Sequence, residues 1–270
     1  MSPRSVEVRA ARVGVVVAGV PVGQGHPVRV IAGPCSVEGF EQFRSTAVQV
    51  KAAGAVLLRG GAFKPRTSPY SFQGLGEQGL QIMRDVADEL GMGVVTEAMS
   101  ADEVGTIRRY ADMVQIGARN MDNRSLLEAA ADSDLPILLK RGITATVDEV
   151  LAAAEHIVLR GNDRVVICER GSRTFEPSTR NSVDIAAVPE IKRRSDLPVI
   201  VDPSHGTGRR DLVTPVALAA VAAGADGVIV EVHPEPEAAL SDGSQSLEAR
   251  TFPAFMGRVR AMALAVGRSV

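Results

Sequence analysis

The chain has 270 residues, a formal net charge of −2 and 45% hydrophobic residues, so it is long enough to bury one large core. It contains no tryptophan and only two tyrosines, which argues against a base-stacking surface for nucleic acid. Two cysteines are too few for a disulfide framework, and no membrane-span-length stretch or secretory signal is visible, so we expect a cytoplasmic protein with a small-molecule partner.

Residues 1–27 precede the repeating pattern of the chain and are predicted to form a separate N-terminal extension. Two valine-rich stretches, Val13–Val17 and Val20–Val22, flank Ala18-Gly19. A short turn pair between two β-branched runs is typical of a β-hairpin. We therefore predict a hairpin that plugs the N-terminal mouth of the domain formed by residues 28–270. The alternative is a frayed arm.

Eight short apolar runs follow, each rich in valine, isoleucine or leucine. Runs of this length and composition are typical of strands buried on both faces of a parallel sheet. Each run ends in, or just before, a polar residue. The runs are Val30–Ala32, Val56–Leu58, Val94–Thr96, Val114–Ile116, Ile137–Leu139, Val165–Ile167, Val199–Val201 and Val228–Val230.

Segments of helical period separate these runs. The predicted helices cover about 39–53, 77–91, 101–111, 123–132, 146–161, 184–194, 210–223 and 246–266. Ser100 and Thr146 are placed as N-caps, and Gly54 and Gly91 are placed where a glycine ends a helix. Strand and helix alternate eight times without a linker, and Gly33–Ser36 is not the glycine fingerprint of a doubly wound sheet. The predicted fold class is therefore α/β, with a single (β/α)8 TIM barrel.

Donor side chains suited to a metal ion follow the first, seventh and eighth runs. In a barrel of this kind, the carboxyl ends of the strands form the active site, so Cys35, His205, Glu231 and Asp242 would meet there. Thiolate and imidazole suit zinc, iron, cobalt or copper, and the carboxylates extend the range to manganese. Cys35 could instead be a core residue, and Asp242 an ordinary turn residue. Glu97 adds a carboxylate at the third strand end.

Six basic residues near the same strand ends indicate anionic substrates. Arginine pairs with phosphate or carboxylate through two hydrogen bonds, while lysine acts as a point charge. Six cations exceed what one phosphate needs, so they indicate two anionic substrates, or a doubly charged one and a second phosphate. The hydroxyls of Thr67 and Ser68 would suit a phosphate, although the same stretch also fits an ordinary loop. The six are Arg59, Lys64, Arg66, Arg119, Lys140 and Arg170.

Five motifs occur along the chain: Gly33–Ser36, Leu58–Tyr70, Gln115–Asn120, Leu139–Gly142 and Asp202–Gly208. Together they resemble the 3-deoxy-D-arabino-heptulosonate 7-phosphate (DAHP) synthase family, most closely its short type I (beta) branch. The likeness extends over about residues 28–250. It implies a (β/α)8 fold and the metal-dependent, aldol-like condensation of phosphoenolpyruvate with erythrose 4-phosphate. That reaction is the first step of the shikimate pathway to chorismate and aromatic amino acids.

The resemblance also implies roles for individual residues. One divalent ion, manganese first and zinc, cobalt or iron as alternatives, would be held by Cys35, His205, Glu231 and Asp242. The phosphate and carboxylate of phosphoenolpyruvate would be held by Arg59, Lys64, Arg119, Lys140 and Arg170. The phosphate of erythrose 4-phosphate would be held by Arg66, Thr67 and Ser68, and the catalytic set would be Cys35, Lys64, Glu97 and His205.

The resemblance bears on assembly as well. The family usually forms homo-oligomers, so we expect a tetramer or a dimer. Many members carry a regulatory domain or a fused chorismate mutase, and residues 1–27 are too short for either.

Three alternatives stay open at this point. The related 3-deoxy-octulosonate 8-phosphate synthase uses arabinose 5-phosphate as the acceptor. It typically carries Ala-Asn-Arg-Ser where this chain has Lys64–Ser68, which favours the four-carbon sugar. A catalytically silent regulatory barrel would have no physical need for so many charges at one rim. A Schiff-base phosphosugar aldolase could use Lys140 but would not need the metal donors.

Overall fold

Strands and helices alternate along the described chain, which comprises residues 8, 14–64, 70 and 72–270 of this computed structural model. The strands are β1 (Val15–Val17), β2 (Val20–Val22), β3 (Arg29–Gly33), β4 (Leu57–Arg59), β5 (Gly93–Ala98), β6 (Met113–Ile116), β7 (Ile137–Lys140), β8 (Val165–Glu169), β9 (Val199–Val201), β10 (Gly227–His233) and β11 (Leu247–Glu248). The helices are α1 (Phe40–Ala53), α2 (Glu77–Leu90), α3 (Ala101–Ile107), α4 (Arg124–Asp132), α5 (Val147–Leu159), α6 (Ala187–Arg194), α7 (Pro203–Thr207), α8 (Arg210–Ala222) and α9 (Phe252–Ala265).

Within these ranges, eight parallel strands form a closed barrel. Strands β3 to β10 pair in chain order, and β10 also pairs with β3, where Gly227 faces Arg29 and Glu231 faces Gly33. The strands are buried along nearly their whole length because helices cover the outer face and side chains fill the interior. The predicted (β/α)8 barrel is confirmed. Its closure brings residues after β3 next to residues on and after β10.

The predicted N-terminal hairpin is also present. Strand β1 pairs antiparallel with β2, with Val17 opposite Val20. Val15, Val17 and Val22 are buried in one cluster with the inward-facing side chains of the barrel strands. Arg29, the first residue of β3, donates a 2.9 Å hydrogen bond from Nε to the Pro21 carbonyl oxygen. The hairpin therefore packs against the inward-facing side chains at the end of the barrel where the strands begin.

Exchange of one valine of this hairpin should cost stability in proportion to its burial. Val17 is fully buried and its neighbour Val16 is 57% exposed. Val17→Thr replaces one methyl group by a hydroxyl of nearly the same size in this apolar cluster. We expect the change to lower the free energy of unfolding by about 1–3 kcal/mol. Val16→Thr, measured by the same denaturant titration, should change it by less than about 0.5 kcal/mol. Equal effects of the two changes would show that the hairpin does not plug the barrel.

Helix ends follow the sequence signals with one exception. Thr146 forms a capping box with Glu149, as its position predicts. Gly54 and Gly91 both adopt the left-handed conformation that ends a helix. Ser100 occupies the N-cap position of α3, but its side chain makes no capping hydrogen bond.

Three predicted helices begin or end three or more residues inside their predicted bounds, and the one predicted over 184–194 begins only at Ala187. The helix predicted over 246–266 begins only at Phe252, because Leu247 and Glu248 instead extend the sheet beside the end of β10. Pro253 lies in the first turn of this helix, where its missing N–H costs no hydrogen bond. The helix predicted over 101–111 ends at Ile107. No helix in the described ranges is long and apolar enough to span a bilayer.

Candidate active site

A cavity of about 320 Å³ opens where the barrel strands end. Most of the predicted site residues line it: Cys35, Arg59, Lys64, Glu97, Arg119, Lys140, Arg170, His205 and Asp242. Glu231 lies directly beside them, with Oε1 3.4 Å from His205 Nε2. The structure thus brings into one place side chains that are up to 207 residues apart in sequence. The remaining three, Arg66, Thr67 and Ser68, lie outside the described residues.

Four donor side chains meet at one side of this cavity. One ligand atom from each of Cys35, His205, Glu231 and Asp242 lies within 4.8 Å of all the others. Cys35 Sγ is 3.2 Å from Asp242 Oδ2. Cys35 follows β3, His205 lies in α7 after β9, Glu231 is on β10, and Asp242 is in the loop beyond it. The closure of the barrel between β10 and β3 therefore assembles the cluster.

The chemistry of this donor set fits a divalent transition metal. The Nδ1 atom of His205 lies 2.8 Å from Asp202 Oδ2, which leaves Nε2 directed at the other donors. An imidazole held from behind by a carboxylate is the usual arrangement of a metal-binding histidine. One sulfur, one nitrogen and two carboxylate oxygens suit manganese, iron, cobalt or zinc.

Burial and neighbouring charges shift the pKa values of the two most buried donors, Cys35 and Glu231, in opposite directions. Burial, together with the charge of Glu231, raises the pKa of the Cys35 thiol to about 12, although Lys64 Nζ lies 3.1 Å from the sulfur. Burial alone would raise the pKa of Glu231 too, but His205 and Arg59 outweigh it and lower that pKa to about 2. At neutral pH the free protein therefore presents a protonated thiol and an ionised carboxylate.

Metal binding should release the thiol proton. Because the pKa of Cys35 is about 12 and a metal ligates the thiolate, the proton must leave when the ion binds. The apparent affinity should therefore rise about tenfold for each pH unit between about pH 6 and 8. Titration calorimetry of Zn²⁺ binding in buffers of different ionisation enthalpy counts the protons, and Cys35→Ala should release about one fewer. An equal count in both proteins would show that Cys35 is not a ligand.

A buried ion pair supports the donor cluster from β4. Arg59 Nη1 donates to Glu231 Oε1 at 2.6 Å and to the Pro34 carbonyl oxygen at 3.2 Å. The pair needs β3 and β4 to approach closely, since a Cβ atom at Gly33 would lie only 2.1 Å from the Arg59 carbonyl oxygen. Glycine at position 33 permits this approach.

A second buried ion pair lies between the donor cluster and the cationic side of the cavity, which is formed by its arginine and lysine side chains. Lys140 Nζ donates to Asp202 Oδ2 at 2.5 Å, and the same oxygen contacts His205 Nδ1. Burial would raise the pKa of Asp202, but His205 and Lys140 outweigh it and hold that pKa well below its usual range. Asp202 directly follows β9, as the end of the seventh apolar run predicts, but no sequence pattern indicated its contacts with Lys140 and His205.

The arginine side chains of this cavity include hydrogen-bond donors that no described residue pairs with. Nη1 of Arg170 and Nε of Arg59 are buried without a hydrogen-bond partner in the described part of the chain. Buried guanidinium donors are nearly always paired, so two that lack a described partner on cavity-lining residues favour an anion as the missing acceptor. Arg119 is exposed at the same wall.

Glu97 is held in a fixed place at the centre of the rim. Gln115 Nε2 donates to Glu97 Oε2 at 3.0 Å. The other oxygen lies over Gly117, where a Cβ atom would come within 1.9 Å of it. Glu97 therefore faces the cavity from β5 with its carboxylate fixed by its neighbours.

The loop between β8 and α6 contributes cavity residues that sequence reasoning missed. They are Arg173, Arg180 and Asn181. Arg173 and Arg180 are basic residues in a loop that follows a barrel strand, which is a usable signal, but the prediction for this loop stopped at Arg170. Glu169, by contrast, ends β8 but is buried against Arg141 at 2.8 Å and holds the loop rather than lining the cavity.

The sequence matches one family profile and several curated proteins. The profile described as the DAHP synthetase I family matches residues 6–265. A Thermotoga maritima protein named phospho-2-dehydro-3-deoxyheptonate aldolase is 54% identical over 251 residues, which cover 93% of this chain and 74% of the relative. A Hydrogenovibrio crunogenus protein named 2-dehydro-3-deoxyphosphooctonate aldolase is 33% identical over 246 residues, covering 83% and 87%.

The structure matches solved structures of similar proteins. The crystal structure of the phospho-2-dehydro-3-deoxyheptonate aldolase (DAHP synthase) from Thermotoga maritima superposes with a TM-score of 0.91 at 52% identity, covering 95% of this chain and 75% of that one. A truncated form of 3-deoxy-D-arabino-heptulosonate 7-phosphate synthase from the same organism gives a TM-score of 0.88 at 48% identity, covering 98% and 95%.

Proposed function

The chain belongs to the DAHP synthetase I family, and from this we propose that it condenses phosphoenolpyruvate with erythrose 4-phosphate to give DAHP and phosphate. The enzyme is then a transferase at the first step of the shikimate pathway. The observation that carries the proposal is the division of one cavity into a four-donor cluster and a wall of arginine and lysine. Such a site suits two anionic substrates that react beside a metal ion.

The cationic wall would hold the two substrates against their mutual repulsion. Arg170 and Arg59 suit the phosphate and carboxylate of phosphoenolpyruvate, because each has one buried donor atom without a partner among the described residues. Arg119, Lys64 and Lys140 add positive charge around them. We assign the phosphate of the acceptor to Arg66, Thr67 and Ser68. Orientation of two reactants in one site can contribute about 7–11 kcal/mol of barrier reduction.

The reaction forms one carbon–carbon bond and releases one phosphate. C3 of phosphoenolpyruvate attacks the aldehyde carbon, and the aldehyde oxygen takes a proton. Water adds at C2 and gives up one proton, after which the bond from C2 to the phosphate oxygen breaks, C2 becomes the ketone carbon, and phosphate leaves with the second proton. Lys64 is our candidate to deliver the proton, because its Nζ lies at the cavity wall beside Cys35. Glu97 lines the space between the two halves of the site.

One divalent ion, manganese first, would be held by Cys35, His205, Glu231 and Asp242 and would supply Lewis acidity at the aldehyde oxygen. Asp202 would keep His205 in the tautomer with a free Nε2. Arg59 would keep Glu231 directed at His205.

We further propose a cytoplasmic homo-oligomer, a dimer or a tetramer. Both cysteines, Cys35 and Cys168, are free and buried, which suits a reducing compartment. Oligomerisation is the usual state of the family that the sequence resembles.

An acceptor assay tests the proposed reaction. Phosphoenolpyruvate consumption is followed with erythrose 4-phosphate and, in parallel, with arabinose 5-phosphate. We expect kcat/KM for the four-carbon acceptor to be higher by roughly tenfold or more. Preference for arabinose 5-phosphate would replace the proposal with octulosonate synthesis. Consumption with neither would leave a silent barrel, and inactivation by borohydride with substrate would indicate a Schiff-base lysine.

A further inference from the structure

A buried amide lies behind the donor cluster, and no step of the proposed reaction uses it. Gln245 is only 1% exposed and ends the short 3₁₀ turn that follows Asp242. Buried amides far from any ligand usually satisfy backbone groups. The side chain of Gln245 instead contacts two charged side chains of the site.

The two hydrogen bonds of this amide fix its orientation. Gln245 Nε2 donates to Glu231 Oε2 at 2.5 Å, and Oε1 accepts from Arg180 Nη1 at 3.1 Å. A carboxylate only accepts hydrogen bonds and a guanidinium only donates them, so the amide cannot be reversed without losing both. Glutamine is thus matched at both ends to charged neighbours.

The first of these bonds completes a clamp on Glu231. Its Oε1 accepts from Arg59 Nη1 at 2.6 Å and lies 3.4 Å from His205 Nε2. Among the described residues, Gln245 is the one whose side chain donates a hydrogen bond to Oε2 of Glu231. With both oxygens held, the carboxylate cannot turn about its last side-chain bond, and Oε1 stays directed at the donor cluster.

The second hydrogen bond links Gln245, through Arg180, to Asp242, the other acidic donor of the cluster. Arg180 Nη1 lies 3.4 Å from Asp242 Oδ1 as well as 3.1 Å from Gln245 Oε1. Asp242 has a φ of +51°, a left-handed conformation that is uncommon outside glycine. The backbone N–H of Gln245 donates to the Asp242 carbonyl oxygen at 3.3 Å and so stabilises this turn.

We propose that Gln245 is a positioning residue that sets the geometry of Glu231 and Asp242 as metal ligands. It acts on the ion through its neighbours, in the way that hydrogen bonds behind a ligand orient it. The inference rests on the proposed metal site and deepens it. Gln245 is not among the described residues that line the cavity.

Metal affinity of the purified protein, measured without substrates, tests this assignment. Gln245→Met keeps the length of the side chain but removes both hydrogen bonds. We expect it to weaken Mn²⁺ and Co²⁺ binding about 10–100-fold and to shift the visible absorption bands of the Co²⁺ form. Gln245→Glu keeps an acceptor for Arg180 but loses the donor to Glu231, so it should weaken binding at least as much.

A matched control separates positioning from a general loss of stability. Asn162 is also a buried amide, but its Nδ2 donates to the backbone carbonyls of Ala131 and Leu135, far from the cluster. Asn162→Leu should lower the melting temperature while leaving metal affinity within about twofold of wild type. A structural role for Gln245 would make the two variants behave alike.

The result that overturns the proposal is wild-type metal affinity and an unchanged Co²⁺ spectrum in Gln245→Met. If circular dichroism shows that this variant is not folded, Arg180→Met takes its place, because the Arg180 side chain is 47% exposed. It should weaken binding several-fold, and unchanged affinity there overturns the proposal. A wild-type protein that binds metal without condensing the substrates would contradict the proposed function alone.

Discussion

Replacement of Cys35 by alanine is expected to lower kcat for condensation about 1000-fold, with the protein still folded. Cys35 supplies the only sulfur in the four-donor cluster, and Asp242 and Lys64 contact it directly. Loss of one ligand should also weaken Mn²⁺ binding by more than about 100-fold, since even a residue behind the ligands can contribute 10–100-fold. Steady-state assays at saturating substrate and a chelator competition measure the two effects.

Cys168 is the matched control for this change. It is fully buried in the barrel interior on β8 and is not part of the donor cluster. Cys168→Ala removes the same sulfur atom from a buried site, so it should cost about 1 kcal/mol of stability and leave kcat unchanged. Equal activity losses in the two variants would show that the Cys35 effect comes from packing and not from ligation.

Lys140→Met is expected to lower both stability and activity. The change leaves the buried Asp202 carboxylate without the ammonium that lies 2.5 Å from it. Removal of one partner from a buried pair typically costs about 3–5 kcal/mol, and we expect this in the free energy of unfolding. Loss of a charged contact to a substrate anion should in addition lower kcat/KM about 10–100-fold. Urea titration and steady-state kinetics give the two values.

Lys192→Met provides the comparison. Lys192 Nζ contacts the buried Asp226 at 2.6 Å, at the end of the barrel where the strands begin, and Arg268 remains as a second partner. We expect a smaller loss of stability and unchanged kcat/KM. A wild-type kcat/KM in Lys140→Met would show that Lys140 does not contact a substrate anion.

Much of the fold could be predicted because its signals are local. Valine-rich runs of strand length alternate with segments of helical periodicity. Closure of the barrel then follows from the eight repeats of strand and helix. Strand β11 and helix α7 were not predicted, because each is too short to show a period. Strand β11 exists only through its pairing with the end of β10. The division of the chain at residue 27 stays a prediction.

The site could be predicted where residues lie at strand ends, because a closed parallel barrel directs all of these ends to one rim. This rule located Cys35 and Glu231, which are remote in sequence. It could not locate Gln245 or Arg180, whose partners depend on the course of loops beyond the strands. Roles assigned to Arg66, Thr67 and Ser68 stay predictions, since these residues lie outside the described chain.

Phosphate release from phosphoenolpyruvate, with and without metal, tests the central claim most directly. The purified protein is assayed with erythrose 4-phosphate before chelation, after verified removal of metal, and after addition of Mn²⁺, Co²⁺ or Zn²⁺. We expect acceptor-dependent release that is abolished by chelation and restored by at least one of these ions, with one ion bound per donor cluster. Full activity in protein verified to be free of metal would contradict the claim that the cluster holds the catalytic ion.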